Sequence, residues 1–388
     1  MKNGSKLWRL LPFVITLILV IIVSLQKYFA APVLFFGEYH TQYNNYKIFV
    51  YSSQHLLNGQ DLYALYPQEY GDLFKYSPTF AWLFIPFSFL PDWIGLLVWN
   101  LLNTIPLVYA LYLLSHKRVN EFLPVFFIMA IEMATSIHNA QSNGLVSALL
   151  LGFYLCLMNR RFFWSGLFLA LSVYIKLFGG LAILLIFLFP DWRKHAFSFA
   201  IWMFILFLAP LISVPFYEVL AQYRSWYELL KNDPSHELNF SLATVIDRYS
   251  PAQINHLPIY VHILGLVMLL LVFWKAWKSK QTERLSYLLP AFIMMWCVMF
   301  NHKSESPTYV IAMVGVALLW IPLRQKKLFR LCMGFAILCV SLASTDLVPF
   351  EIRQNVMFPM QVKAVGLIPI FVYTFALILQ QTSLSKSN

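Results

Sequence analysis

Long apolar runs broken by short polar stretches set the rhythm of this chain. Leu10–Leu25, Phe197–Phe216, Ile259–Trp274 and Val365–Leu379 approach or exceed the roughly 18 to 20 residues that carry a helix across a bilayer. Backbone groups in lipid have to bond to one another, so such runs predict helices. The alternating apolar and polar strands of a membrane barrel are absent. About twelve crossings follow (ten to thirteen), with cores near 9–26, 79–114, 121–137, 145–158, 162–177, 180–190, 196–216, 258–274, 285–300, 307–323, 328–343 and 364–380. The second is interrupted at Pro91-Asp92, which predicts a short re-entrant or interfacial piece ahead of the true span. The first has basic flanks (Lys2, Lys6, Arg9), but "SLQKYFAAP" offers only a poor cleavage site, so it reads as a retained helix. The fold class is an all-α polytopic membrane protein, one integral membrane domain over residues 1–388.

Composition agrees with the pattern: 60% of residues are hydrophobic and only 12% charged, too much apolar surface for a soluble protein of this length to hide. Charge then orients the chain. With the N-terminus placed in the cytoplasm, 18 of the 28 basic residues fall on the inner side against three acids, Glu121, Asp191 and Glu283. This is the positive-inside pattern of a multi-pass membrane protein, and it supports the register of crossings. The net charge of +11 is therefore mostly topological, and no soluble basic face offers itself to nucleic acid. The four cysteines (Cys156, Cys297, Cys332, Cys339) lie in or near apolar spans with no CxxC, as packing residues do. A cytoplasmic P-loop is missing, which argues against an ATP-driven machine.

Polar chemistry gathers on the outer side. Loop one runs over residues 27–78 and loop two over about 217–257, whereas the inner loops are short and basic. Loop one predicts short amphipathic helices. In "NNYKIFVYSSQHLLNG", Asn44, Ile48, Tyr51 and His55 share one face, and Gly59 closes the helix. A helix lying on the outer leaflet with its tyrosines at headgroup level accounts for the aromatics. It does not account for the amides, the acids Glu38, Asp61, Glu69 and Asp72, and Lys75-Tyr76-Ser77-Pro78 in the same segment. Within the spans, Glu132 and Lys176 stand out, because ionisable groups at that depth face a cavity or a partner. For Lys176, snorkelling to the outer headgroups is the plainer alternative. Arg248 and the pair His302-Lys303 add positive groups on the outer side, and a cluster of Lys, Arg and His there suits a lipid-linked phosphate.

Several short motifs resemble glycosyltransferase family 87, polytopic enzymes of the GT-C class. They are "NYKIFVYSSQHLLNGQDLY" after the first span, "KYSPTFAWLFIPFSFLP" leading into the second, "AQSNGLVSALLL" with Ala140 where the family has Gly, Gly166 and Lys176 in "SGLFLALSVYIKLFGG", and "NFSLATVIDR" with Phe240 where the family has Gln. The resemblance implies a GT-C-like bundle. It also implies transfer of a mannose-like hexose from a polyprenyl-phosphate donor to a lipid or glycan acceptor on the external face of a bacterial plasma membrane. Such a transfer needs a carboxylate to take the acceptor proton and cations to hold the departing phosphate. The family's acidic position falls on Asn45, and an amide cannot serve as a base. Glu38, Asp61, Glu69 and Asp72 stay open for that role. Glu38 is favoured because it follows directly on the first span, near the membrane surface. Asn45, Tyr76, Gln141, Asn143 and Asn239 are the expected sugar and acceptor contacts. Lys176, Arg248 and His302 are expected at the donor phosphate. No ligand spacing requires a metal, although the outer acids are able to recruit a divalent ion. Two other readings stand beside the enzyme: a transporter or lipid flippase, disfavoured by the lack of internal repeats, and a non-catalytic scaffold for envelope polysaccharide synthesis, which Asn45 favours.

Overall fold

The computed structural model describes residues 2–35, 37–232, 240–250, 257–279, 285–301 and 303–380. Helix α1 (Lys2–Phe29) is followed by a small antiparallel hairpin, β1 (Val33–Phe35) and β2 (Glu38–His40), with Val33 opposite His40 and Phe35 opposite Glu38. Next come α2 (Asn44–Leu57), the single turns α3 (Pro78–Leu83) and α4 (Ile85–Ser88), and the long α5 (Asp92–Leu114). The break expected at Pro91-Asp92 is present. Proline fixes its own φ and supplies no N–H, so a new helix starts cleanly after it. Then follow α6 (Val119–His138), α7 (Asn143–Met158), α8 (Phe162–Ile175), a 3₁₀ stretch (Leu177–Leu188), α9 (Trp192–Leu208) and α10 (Phe216–Asn232). The rest is α11 (Leu242–Tyr249), α12 (Leu257–Lys278), α13 (Leu285–Met299), α14 (Tyr309–Leu323), α15 (Lys327–Ala336) running into a π segment (Ile337–Leu342), α16 (Phe350–Ile352), and α17 (Val362–Gln380).

Seven helices among the described residues are long and apolar enough to cross a membrane, counting α9 with the 3₁₀ turn after it and α14 with the turn before it. Shorter apolar segments at α7, α8, Gly179–Leu188 and α13 fall in the positions of other expected crossings. The helices pack in sequence neighbours (α7 on α8, α8 on α9, α13 on α14), with α1 lying across α5 and α6, and α14 against α6. Small residues set the closest approaches. At Gly144 a side chain would run into the backbone of Asn103 in α5, and at Gly166 into Ser198 and Phe199 of α9. Helices in lipid associate through such small-residue contacts because burial of apolar surface drives them little. α14 is almost wholly buried, whereas α1, α9 and α12 present Leu, Ile, Phe and Trp outward, as lipid-facing helices do.

Loop one differs from a helix floating on the leaflet. α2 buries Tyr46, Ile48, Phe49, Val50, His55 and Leu56, and packs against α3 and α4. Phe49 meets Tyr76, Phe80, Phe84 and Trp99 edge to face at ring centroids 4.9 to 5.6 Å apart. Such pairs add about 0.5–1.5 kcal/mol each beyond their buried area. Lys47 reaches Asp92 at 2.9 Å, and the Tyr43 hydroxyl donates to the same carboxylate at 3.1 Å, which fastens α2 to the start of α5. Residues 58–77 form turns, and α10 straps over them: Gln222 accepts from the Leu62 N–H and donates to the Gln60 carbonyl, and the Trp226 indole donates to the Lys75 carbonyl.

Candidate active site at one end of the bundle

The turn between α6 and α7 is the centre of this end. Ala140 has φ +48°, a left-handed backbone that glycine adopts freely and alanine only under strain. The resemblance places Gly at this position, and the φ value gives the reason. Two tethers hold the strained turn: the Trp99 indole donates to the Ala140 carbonyl at 2.9 Å, and Asn45 Nδ2 donates to the Asn139 carbonyl at 2.8 Å. The amide at position 45 therefore performs a task that a carboxylate, having no donor, cannot.

Directly after the turn, side chains form a directed relay. The Ser142 hydroxyl donates to the Tyr76 oxygen at 3.1 Å, the Tyr76 hydroxyl donates to Gln141 Oε1 at 3.3 Å, and Gln141 Nε2 donates to Glu305 Oε2 at 3.1 Å. Every donor points along the chain toward the carboxylate, and such chains polarise one another. Burial above all, with the bond from Ser142 opposing it and the nearby charges of Glu305 and Asp72 adding to it, pushes the Tyr76 phenol far up, so it stays a neutral donor. Lys176 ends α8, its ammonium 5.9 Å from the centre of the Tyr76 ring, with Glu305 and Lys75 as charged neighbours. Ser77 anchors this corner from below: its oxygen caps α3 by accepting from the Phe80 N–H, and its hydroxyl donates to the Tyr174 carbonyl two residues before Lys176.

A buried ion pair lies against the segment that carries Glu305. Lys363 Nζ sits 2.9 and 3.1 Å from the two oxygens of Glu132 and donates to the Ser306 carbonyl at 3.4 Å, with both side chains out of contact with solvent. Glu132 thus has a partner at the start of α17, 231 residues away in sequence. Phe240, the first described residue of its segment, docks on the same stretch: its N–H donates to the Ser304 carbonyl and its own carbonyl accepts from Tyr309.

The expected residues divide as follows. Tyr76, Gln141 and Lys176 converge. Asn143, wholly buried at the first turn of α7, has neither side-chain atom hydrogen-bonded among the described residues. Asn45 tethers the turn. Glu38 stands exposed on β2 and forms no ion pair or side-chain hydrogen bond among the described residues. Asp61 accepts from the Tyr63 N–H. Glu69 lies 2.7 Å from His55, which burial holds below the ordinary imidazole value against the pull of Glu69, so the contact is with a neutral ring. Asp72 lies 3.9 Å from Lys75. Arg248 is exposed on α11. Asn239 and His302 lie outside the described residues. Among the described residues no three His, Cys, Asp or Glu side chains group to hold a metal ion. Sequence reasoning missed Glu305, although the pair His302-Lys303 beside it stands out as positive groups on the outer side. A lone acid in a short polar turn carried no further mark.

The sequence pattern of glycosyltransferase family 87 matches residues 74–300, more than half of the chain. The chain belongs to glycosyltransferase family 87. The match takes in Tyr76, Gln141, Lys176 and the strained turn. This family-87 chain is accordingly a membrane glycosyltransferase of the GT-C class. Among solved structures it is similar to ArnT from Cupriavidus metallidurans in the apo state, with 13% identity, a TM-score of 0.49, and coverage of 98% of this chain and 78% of that one. It is also similar to ArnT from the same organism bound to undecaprenyl phosphate, with 12% identity, a TM-score of 0.42, and coverage of 97% and 77%. No curated protein matches the chain.

Proposed function

We propose that this glycosyltransferase moves a mannose-like hexose from a polyprenyl-phosphate donor to a hydroxyl of a lipid or glycan acceptor, at the end of the bundle where Lys176 and Glu305 meet. The observation that carries the reading is the cluster itself: an ammonium beside a tyrosine ring, with a carboxylate held by Gln141, at the head of helices long enough to lie along a lipid tail. In the reaction the acceptor oxygen bonds to the sugar's anomeric carbon while the bond from that carbon to the donor phosphate breaks. The acceptor proton passes to a carboxylate, and the departing phosphate keeps the electron pair. Lys176 stabilises the charge that develops on the phosphate, as a positioned cation in a water-poor site does. Arg248 and His302 are proposed as further cations for it. Asn143, Asn45 and Asn239 are proposed as contacts to sugar or acceptor hydroxyls.

Two carboxylates suit the base. Glu38 follows the first span and is unencumbered. Glu305 is oriented by Gln141 and lies in the electrostatic neighbourhood of Lys176. The base has to reach the acceptor hydroxyl at hydrogen-bond distance. Conservative amides separate the two: whichever of Glu38→Gln and Glu305→Gln abolishes turnover while leaving donor binding intact identifies it.

The test is mass spectrometry of lipids that co-purify in mild detergent, supplemented with a synthetic polyprenyl-phosphate sugar. Wild type should retain the donor and Lys176→Ala should lose it, with turnover falling by about 10²–10³-fold, the usual cost of removing one charge-stabilising group. Donor absent from both proteins, with flux of a solute across liposomes, would replace this reading by the transporter. Donor absent from both without flux would leave the scaffold.

A further inference from the structure

A second site lies at the other end of the same helices. α5, α7 and α8 each have one end at the cluster: Asp92 is tied to α2, Asn143 follows the strained turn, and Lys176 ends α8. A cavity of about 950 Å³ lies between the three helices, with Lys117, Asn159 and Arg161 at their other ends and its apolar wall running along α7 back to Leu145. α5 alone, 23 residues long, separates the two ends by roughly 34 Å at 1.5 Å per residue. Leu113, Leu149, Leu155 and Phe168 line the wall, and His116, Lys117 and Arg161 line the mouth. Among the described residues no acid lines it.

Three features make this more than a packing defect. Helical interiors close-pack, and a void of this volume is the size of a bound molecule. The cations at the mouth are also uncommitted: among the described residues neither Lys117 nor Arg161 makes an ion pair or a side-chain hydrogen bond. Two described acids near these cations in sequence are occupied, Glu121 with Arg118 and Arg324, and Asp191 with Arg160 and Lys194. Finally, the turns that carry the cations are held in a costly backbone. His116, Lys117 and Arg160 have φ of +52°, +59° and +53°. Tyr287 pins the first turn by donating to the Leu114 carbonyl at 3.1 Å and contacting His116 Nε2 at 2.7 Å. Strain of this kind persists where a site requires the geometry.

We infer that this cavity binds an anionic phospholipid of the adjacent leaflet, with its phosphate at Lys117 and Arg161 and an acyl chain along Leu113, Leu149 and Phe168. Basic pockets between membrane helices take anionic headgroups in this way. A polyprenyl phosphate carries the same headgroup chemistry, but at this end it would sit a full helix length from Lys176, so the phospholipid is the occupant. The site is independent of the transfer reaction, and its readout is binding.

The test uses the full chain in detergent, titrated with phosphatidylglycerol, phosphatidylcholine or polyprenyl phosphate and followed by native mass spectrometry. Wild type should bind phosphatidylglycerol in preference to phosphatidylcholine. Lys117→Ala/Arg161→Ala should weaken the phosphatidylglycerol complex about 10- to 30-fold, at about one charge contact per residue removed. Leu149→Phe, which fills the wall and leaves both cations in place, should weaken it as well. Equal binding of both phospholipids, no change in the double variant, or preferential capture of polyprenyl phosphate would each overturn the proposal.

Discussion

The two ends of this bundle solve the same local problem differently. Both turn one helix into the next through residues with left-handed backbones that are not glycine: Ala140 at the cluster, and His116, Lys117 and Arg160 at the cavity. At the cluster the strained turn is tethered by Asn45 and Trp99, its next residues enter a relay that ends on Glu305, and the segment bearing Glu305 is braced by Glu132 and Lys363. At the cavity Tyr287 pins the turn at His116 and Asp191 pairs with Arg160, the side chains are basic, and space is left open. The contrast fits different tasks. A reacting centre gains from donors and charges fixed before the substrate arrives, since reorganisation during reaction costs rate. A lipid site gains from charge and volume, and tolerates looser geometry.

The largest disturbance of this contrast should come from beneath the cluster. Glu132→Gln leaves the Lys363 ammonium buried without its counter-charge, in a place where the two side chains have 0% and 1% exposure. Removing one partner of a buried pair costs about 3–5 kcal/mol, more than the pair contributes relative to apolar neighbours. Thermal unfolding in detergent should fall steeply for Glu132→Gln and recover largely in Glu132→Leu/Lys363→Met. The recovered protein should still transfer sugar slowly, because the Ser306 contact that positions Glu305's segment is lost with the lysine. Full activity in the double variant would mean that the brace has no bearing on the site.

Much of the fold was legible because lipid imposes a simple rule. Runs such as Leu10–Leu25 and Val365–Leu379 have no alternative to helix, and Pro91 marks its own break. The candidate site was legible in part. Lys176 stands out as an ionisable residue at the end of an apolar span, Gln141 only through the motif it shares with the family, and both meet at Tyr76. Lys363 did not, because a lysine at the start of a span looks like an ordinary interfacial cation until the fold brings it to Glu132, 231 residues away in sequence. Glu305 stayed hidden for the same reason: its partner Gln141 is 164 residues distant. Periodicity reports neighbours along one helix and says nothing of partners across the bundle.

Asn45 tests that boundary with a middling effect. By motif alone it marks a missing acid, whereas its side chain donates to Asn139. Asn45→Asp removes the donor and sets a carboxylate against a carbonyl, so stability should drop by about 1 kcal/mol, the lower end of the cost of leaving a group unsatisfied, because the contact is half-buried. Transfer should slow along with the loss of stability, and the loss should be visible as easier unfolding at any substrate concentration. A faster enzyme of unchanged stability would show instead that position 45 is the vacant seat of the base.

The smallest expected effect runs the other way. At Ala140 the side chain costs about 1–2 kcal/mol because its Cβ crowds the backbone at positive φ. Replacing it by glycine removes that cost but gives the unfolded chain more freedom, worth about 0.4–1 kcal/mol against the folded state. The difference leaves Ala140→Gly more stable by roughly 0.5–1 kcal/mol. Lys117→Gly obeys the same backbone arithmetic at the cavity end and should gain a similar amount, measured by the same unfolding curves. The two variants should part in their ligands. Ala140→Gly loosens a turn whose neighbours position Glu305, so KM for the acceptor should rise slightly as stability improves, while Lys117→Gly should leave KM alone and weaken phosphatidylglycerol. If both raise KM equally, the two ends are coupled through α5 and α7, and the division of labour between them fails.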